Sequence, residues 1–175
     1  MPTMREVTVV PYDPYWNVLY EREAGRLKQV LGSCLIGLYH IGSTSVPGLA
    51  AKPVIDLMPV VKQIEWVDSL NEQMARLGYI AKGENGIPGR RYFYKGETVR
   101  THHVHIFAAG NPEISRHLAF RDYLRTHPEE AKSYGELKLK LAQQFPFDIQ
   151  SYMDGKDSLV KELEKKALRW QQEKS

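Results

Sequence analysis

Two patterns in this sequence could do chemistry: a small-residue turn, Gly42-Ser43-Thr44-Ser45, and an acid, Asp56, inside the apolar run from Val54 to Val61. A Gly-Ser turn leaving a strand can aim backbone N–H groups and a hydroxyl at a phosphate, because no side chain blocks the approach. Most such turns are only turns. A carboxylate within a hydrophobic strand says more, since burying it is costly without a partner, and a metal ion is one such partner. The ordinary alternative is an acid paired with a lysine such as Lys52, four residues earlier. Turn and acid together point to nucleotide or phosphate chemistry, with Asp56 as the candidate catalytic residue and metal ligand.

Strand periodicity places Asp56 on one face with Val54, Met58 and Val60, and puts Ile55, Leu57 and Val61 on the other. The second face should pack on helices. In the later apolar stretch His103, His105 and Phe107 alternate with Val104 and Ile106. If the two strands are neighbours, both imidazoles can reach Asp56, and an Asp-His-His set suits Zn²⁺, Mn²⁺ or Fe²⁺ better than Mg²⁺. A histidine pair at this spacing is also common on an open sheet face, where each ring meets water. Met58 stands two beyond Asp56, and a thioether is a poor ligand for hard Mg²⁺. Lys52 and Arg91 join Gly42, Ser43 and Thr44 as candidate phosphate ligands, Arg91 following the glycine-rich stretch Lys82–Gly89, which reads as a mobile lip. His40 could flank the same pocket. His117 and His127 read as helix-surface or helix-end residues, and Arg121 and Arg125 as a solvated helix face.

The elements that must position these groups follow from local pattern. Residues 5–10 read as a short strand, and Asp13-Pro14 as the start of a helix running to Leu31, closed by Gly32. Residues 34–41 and 54–61 are strands, Ile64–Leu77 an amphipathic helix, and Tyr79–Ala81, Arg91–Lys95 and Val99–Phe107 further strands. Pro112 and Pro128 start two helices, and Asp148 and Asp157 cap a short helix and a final one reaching Trp170. The layout is α+β: a mixed, mostly antiparallel sheet with helices on one face and a helical C-terminal tail.

The 175 residues fit one domain, with 42% hydrophobic and 26% charged residues and a net charge of +3. That mild positive charge favours small anionic ligands and makes nucleic acid an unlikely partner. The lone Cys34 forms no internal disulfide, the first residues lack a signal-peptide pattern, and no apolar run reaches membrane-spanning length, so a cytoplasmic location is expected.

The string from His40 to Asp56 resembles the signature of the GrpB-like family in the nucleotidyltransferase superfamily. Thr101–Phe107, Asn111–Ile114 and Phe120–Arg125 resemble that family too, so the likeness extends over nearly the whole chain. It implies a nucleotidyltransferase fold, with Gly42 and Ser43 at the phosphate turn and Asp56 as the first metal-binding acid. It further implies a nucleotide ligand and Mg²⁺ or Mn²⁺, with transfer of a nucleoside monophosphate as the activity. Met58 occupies the place of the second acid. A ligand-binding domain without transfer, assisting a partner in coenzyme A metabolism, is the alternative, and a metal-dependent hydrolase on Asp56, His103 and His105 a third.

Overall fold

The computed structural model describes residues 6–174. The expectations for the first five residues, including Arg5 at the start of a strand, lie outside that range. Residues 6–9 form no strand, and Val10 makes only an isolated bridge to Ala51. The first helix, α1 (Tyr15–Leu31), begins as its sequence predicts, with Asp13 Oδ1 accepting from the Tyr15 N–H at 2.9 Å. Gly32 ends it at φ +53°, its N–H bonded to the Lys28 carbonyl.

Five strands follow: β1 (Leu35–Ile41), β2 (Ile55–Val61), β3 (Tyr79–Ala81), β4 (Arg90–Lys95) and β5 (His102–Ala108). Their spatial order is β1-β2-β5-β4-β3, with β2 and β5 parallel and every other pair antiparallel. The parallel pair sets the site, because its register places Asp56 beside His103. Between β2 and β3 the expected single helix is two pieces, a 3₁₀ segment (Ile64–Leu70) and a short α2 (Asn71–Arg76).

Three helices complete the described residues: α3 (Pro112–Thr126), α4 (Pro128–Gln144) and α5 (Ile149–Lys174). The expected break at Asp157 is absent. Residues 149–174 form one helix of 26 residues, in which Asp157 pairs along the surface with Lys161 at 3.0 Å. Asp148 starts it, accepting from the Ser151 N–H and hydroxyl.

Alternation along β2 splits the core. Ile55, Leu57 and Val61 pack with Val104 and Ile106 against α1, the 3₁₀ segment and α2. The opposite face is shared: Met58, Phe107 and Ile41 lie under Ile114 and Leu118 of α3, while its other end is left to Asp56. Helical cover is therefore not confined to one face. A third cluster joins α3, α4 and α5 to Val46 and Leu49, fixing the helices over the segment that follows the turn.

Candidate phosphate and metal site around Asp56

Asp56 sits where β2 leaves the Gly42 turn. A Cβ added to Gly42 would lie 2.6 Å from Asp56 Oδ2, and Gly42 has φ +74° and ψ −176°, a region essentially closed to other residues. Close approach and backbone conformation both require glycine there. Asp56 Oδ1 meets His105 Nε2 at 3.0 Å and His103 Nδ1 at 3.4 Å. Burial pushes the carboxyl upward, but the two imidazoles outweigh it and hold Asp56 well below the usual carboxylate range. One ligand atom from each of these residues lies within 4.8 Å of the others, so together they could hold one ion. Oδ2, on the Gly42 side, is the oxygen not taken up by the histidines.

Met58, the next residue on that face, is fully buried beneath α3. An acid at that position would face Ile114 and Leu118, not the cavity. The site thus provides one acid at this strand, with imidazoles beside it.

The turn is rigidly held. Ser45 Oγ and the Ser45 N–H both bond to the Gly42 carbonyl, and the buried Thr44 hydroxyl meets His40 Nε2 at 2.9 Å. His40 stacks on Tyr20, and burial, with Arg125 and Arg121 adding to it against Asp56, pushes its pKa down to about 4. Arg121 donates to the His40 carbonyl at 3.2 Å and Arg125 to the Ser45 carbonyl at 2.9 Å. These arginines are not a solvated face. They clamp both ends of the turn to α3.

A cavity of about 240 Å³ opens between the turn, Asp56, α4 and α5. Lys52, Lys138 and Lys156 line it together with Ser43 and Asp56. Lys138 is buried, donates to Ser43 Oγ at 2.7 Å and lies 4.4 Å from the Tyr134 ring centroid. Burial pushes its pKa down to about 7, and the ammonium groups of Lys156 and Lys52 push the same way, against Asp56. Burial also lowers Lys156. Lys52 lies 4.7 Å and Lys156 5.9 Å from the Tyr152 ring centroid. Cations gathered around a cavity repel one another, and a bound anion offsets that repulsion.

Of the candidate site residues, the structure brings together Gly42, Ser43, Thr44, Lys52, Asp56, His103 and His105. Arg91 is elsewhere: it pairs with Ile106, on the opposite sheet face from Asp56, and its Nε bonds to Asp68 Oδ1 at 2.7 Å. Its neighbour Arg90 is on the site side and reaches His105. Arg90 also donates to the Glu84 and Asn85 carbonyls, and Ile87 packs against the Met58 cluster, so the glycine-rich loop is pinned down. His117 is no surface residue, since its ring lies 5.7 Å from His105, and burial pushes it down to about 3. Lys138 and Lys156 also line the site, and neither is among its sequence candidates. A signal for Lys138 existed: it lies four after Tyr134 and three before Leu141, on the apolar stripe of its helix.

The sequence profile described as GrpB protein matches residues 6–166. A curated relative, UPF0157 protein YqkA of Bacillus subtilis, is 52% identical over 95% of this chain, which spans 48% of that relative. The crystal structure of conserved protein GrpB from Enterococcus faecalis is 51% identical, with a TM-score of 0.90 over 93% of this chain and 98% of that one. A dephospho-CoA kinase of Mycolicibacterium paratuberculosis is 29% identical over 94% of this chain and 46% of its own length.

Proposed function

The chain belongs to the GrpB family, and from that footing we propose that the Asp56 cavity binds a nucleotide or another phosphorylated ligand and, with the help of a divalent ion, transfers the nucleoside monophosphate of a bound triphosphate to an acceptor hydroxyl, the α–β phosphoanhydride bond breaking and pyrophosphate leaving. The observation that carries this reading is the gathering of Lys52, Lys138 and Lys156 around one cavity that also holds Ser43 and Asp56. Lysines supply charge for a phosphate chain, and the Ser43 hydroxyl, already bonded to Lys138, supplies a directed contact. Asp56, kept ionised, lines the same cavity, and its Oδ2 is not taken up by the histidines. Mg²⁺ or Mn²⁺ bound there would neutralise phosphoryl charge and acidify an attacking hydroxyl. The chain's own part is to hold the phosphates against the turn, keep Asp56 deprotonated and orient it through His103 and His105.

The test is a thermal shift with ATP or UTP at millimolar concentration and Mn²⁺. Wild-type protein should gain a few degrees, from about 2 kcal/mol of binding at saturation. Asp56→Asn should lose the metal-dependent part of the gain and all transfer to a hydroxyl acceptor, with its unliganded Tm unchanged or higher. No shift with any nucleoside triphosphate would sink the reading.

Met58 favours a second reading, a ligand-binding domain without transfer, because the second acid is replaced by a buried thioether packed beneath α3. The likeness to a dephospho-CoA kinase supports a role beside a coenzyme A enzyme. Here coenzyme A or dephospho-coenzyme A, without metal, should raise the Tm as much as a triphosphate does with Mn²⁺. A shift confined to triphosphate plus metal would exclude it.

A further inference from the structure

The ring of His105 is read from both ends. Arg90, buried in β4, places Nη1 3.4 Å from His105 Nδ1, and a guanidinium can only donate. At the other ring nitrogen, Nε2 faces the ionised Asp56 oxygen at 3.0 Å, and a carboxylate can only accept. Both neighbours demand the same arrangement: Nδ1 carries a lone pair and Nε2 carries the proton. Arg90 is not free to turn away, since its Nε and Nη2 hold the Glu84 and Asn85 carbonyls at 3.1 and 2.8 Å.

We propose that Arg90 locks His105 as the Nε2–H tautomer, a hydrogen-bond donor to Asp56, and so removes it from the set of groups that can coordinate a cation. Coordination through Nε2 needs the lone pair there and the proton on Nδ1, where it would meet an Arg90 N–H, donor against donor. Metal-bound histidines have the reverse support, their second N–H given to an acceptor. His103 has no such lock: its Nδ1 lies 3.4 Å from Asp56 Oδ1, and its Nε2 has no hydrogen-bond partner among the described residues. Resting on the reading of Asp56 as the ion-binding acid, the lock shapes the choice of metal. A Zn²⁺-type Asp-His-His chelate is denied its third ligand, and an ion must draw on Asp56, His103 and oxygens of the bound ligand. That favours Mg²⁺ or Mn²⁺. Arg90 is then a positioning and specificity-determining residue.

The experiment is long-range proton–nitrogen NMR on protein with ¹⁵N-labelled histidine, first metal-free and then titrated with Zn²⁺ and with Mg²⁺ plus ATP. Wild type should show His105 protonated at Nε2 and unprotonated at Nδ1, with Zn²⁺ shifting the His103 ring nitrogens and leaving those of His105 in place. Arg90→Met should give His105 a detectable Nδ1–H population and raise Zn²⁺ affinity about tenfold or more. An Nδ1–H tautomer in wild type, or Zn²⁺ on His105 Nε2 in wild type, overturns the lock. So does an Arg90→Met variant that melts cooperatively yet changes neither tautomer nor Zn²⁺ affinity. Because that substitution also frees the Glu84 loop, the wild-type spectrum decides if the variant does not fold. If His105 is Nε2–H but no ion binds with or without ATP, the lock stands and the metal reading of Asp56 falls.

Discussion

At the residue scale, Lys138 is the group through which a bound anion should make itself felt. Its ammonium is buried on α4 and gives up hydration beside Lys156 and Lys52, which brings its pKa down to about 7. In the unfolded chain a lysine titrates near ~10.4. Between those values the unfolded state binds the proton and the native state does not, so Lys138's contribution to stability rises with pH from about 7 to about 10. Below that window its burial costs most. A phosphate in the cavity reverses the preference, stabilising the ammonium, so binding above pH 7 takes up a proton and weakens as pH rises. Calorimetry with pyrophosphate at pH 8, in two buffers of different ionisation enthalpy, should show uptake approaching one proton. Lys138→Met should erase the uptake, weaken pyrophosphate about tenfold and raise the Tm by about 2–5 °C. Proton uptake that persists in the variant would assign it to another group, Lys156 first.

At the scale of elements, the sheet is tied to α1 by a second buried charge, on the opposite sheet face from the Asp56 cavity. Glu23 accepts from Lys95 of β4 at 2.6 Å, from Tyr79 of β3 at 2.8 Å and from Arg26 of its own helix at 2.9 Å. Burial alone would raise its carboxyl, but the bonds from Lys95 and Tyr79 lower it. That stabilisation is present above the ordinary carboxylate range, near ~4.3, and is lost as pH falls below it. Glu23→Ala leaves Lys95 without its buried partner and should cost about 3 kcal/mol, lowering the Tm by roughly 6–12 °C. Pyrophosphate affinity of the folded variant should stay within about twofold, since Glu23 joins the sheet from the α1 side and Asp56 lies on the other. A large loss of affinity would mean that the two faces are coupled.

Elements with a strict local period were legible in advance. Alternation groups Asp56 with Met58 along β2, and His103 with His105 along β5, from sequence alone, because parity within a strand needs no knowledge of the rest of the fold; that the two groups share a face is set by the β2–β5 register. Arg91 failed on the same rule: in β4 it pairs with Ile106, so parity turns it from the site and brings Arg90 to it. Of the strand expected at residues 5–10, residues 6–10 have suitable side chains but, among the described residues, no pairing beyond one bridge from Val10 to Ala51, and pairing, not composition, makes a strand. Asp157 looked like a cap, yet an acid within a helix is equally content paired with Lys161.

What sequence could not supply was the third wall of the cavity, because it comes from placement of helices at the scale of the whole molecule. Tyr152 and Lys156 line the cavity with Ser43 because α5 crosses close to α4, and Gly155 leaves room at the crossing: a Cβ there would lie 2.6 Å from Leu141 Cδ2. Nothing within α5 alone announces which turn will face the site. The sheet side, by contrast, is set by strand register and is independent of α5. Gly155→Leu should therefore separate the two halves of the site. Overpacking against Leu141 should cost about 1–3 kcal/mol and shift Tyr152 and Lys156 outward, weakening pyrophosphate about tenfold. The His105 tautomer in the NMR spectrum should stay as in wild type, since Asp56, His105 and Arg90 all belong to the sheet. Adding Leu141→Ala makes room for the larger side chain and should restore most of the affinity, which a general loss of folding would not allow. If Gly155→Leu binds pyrophosphate as well as wild type, α5 is no part of the ligand site, and Lys138 and Lys52 alone must account for its charge.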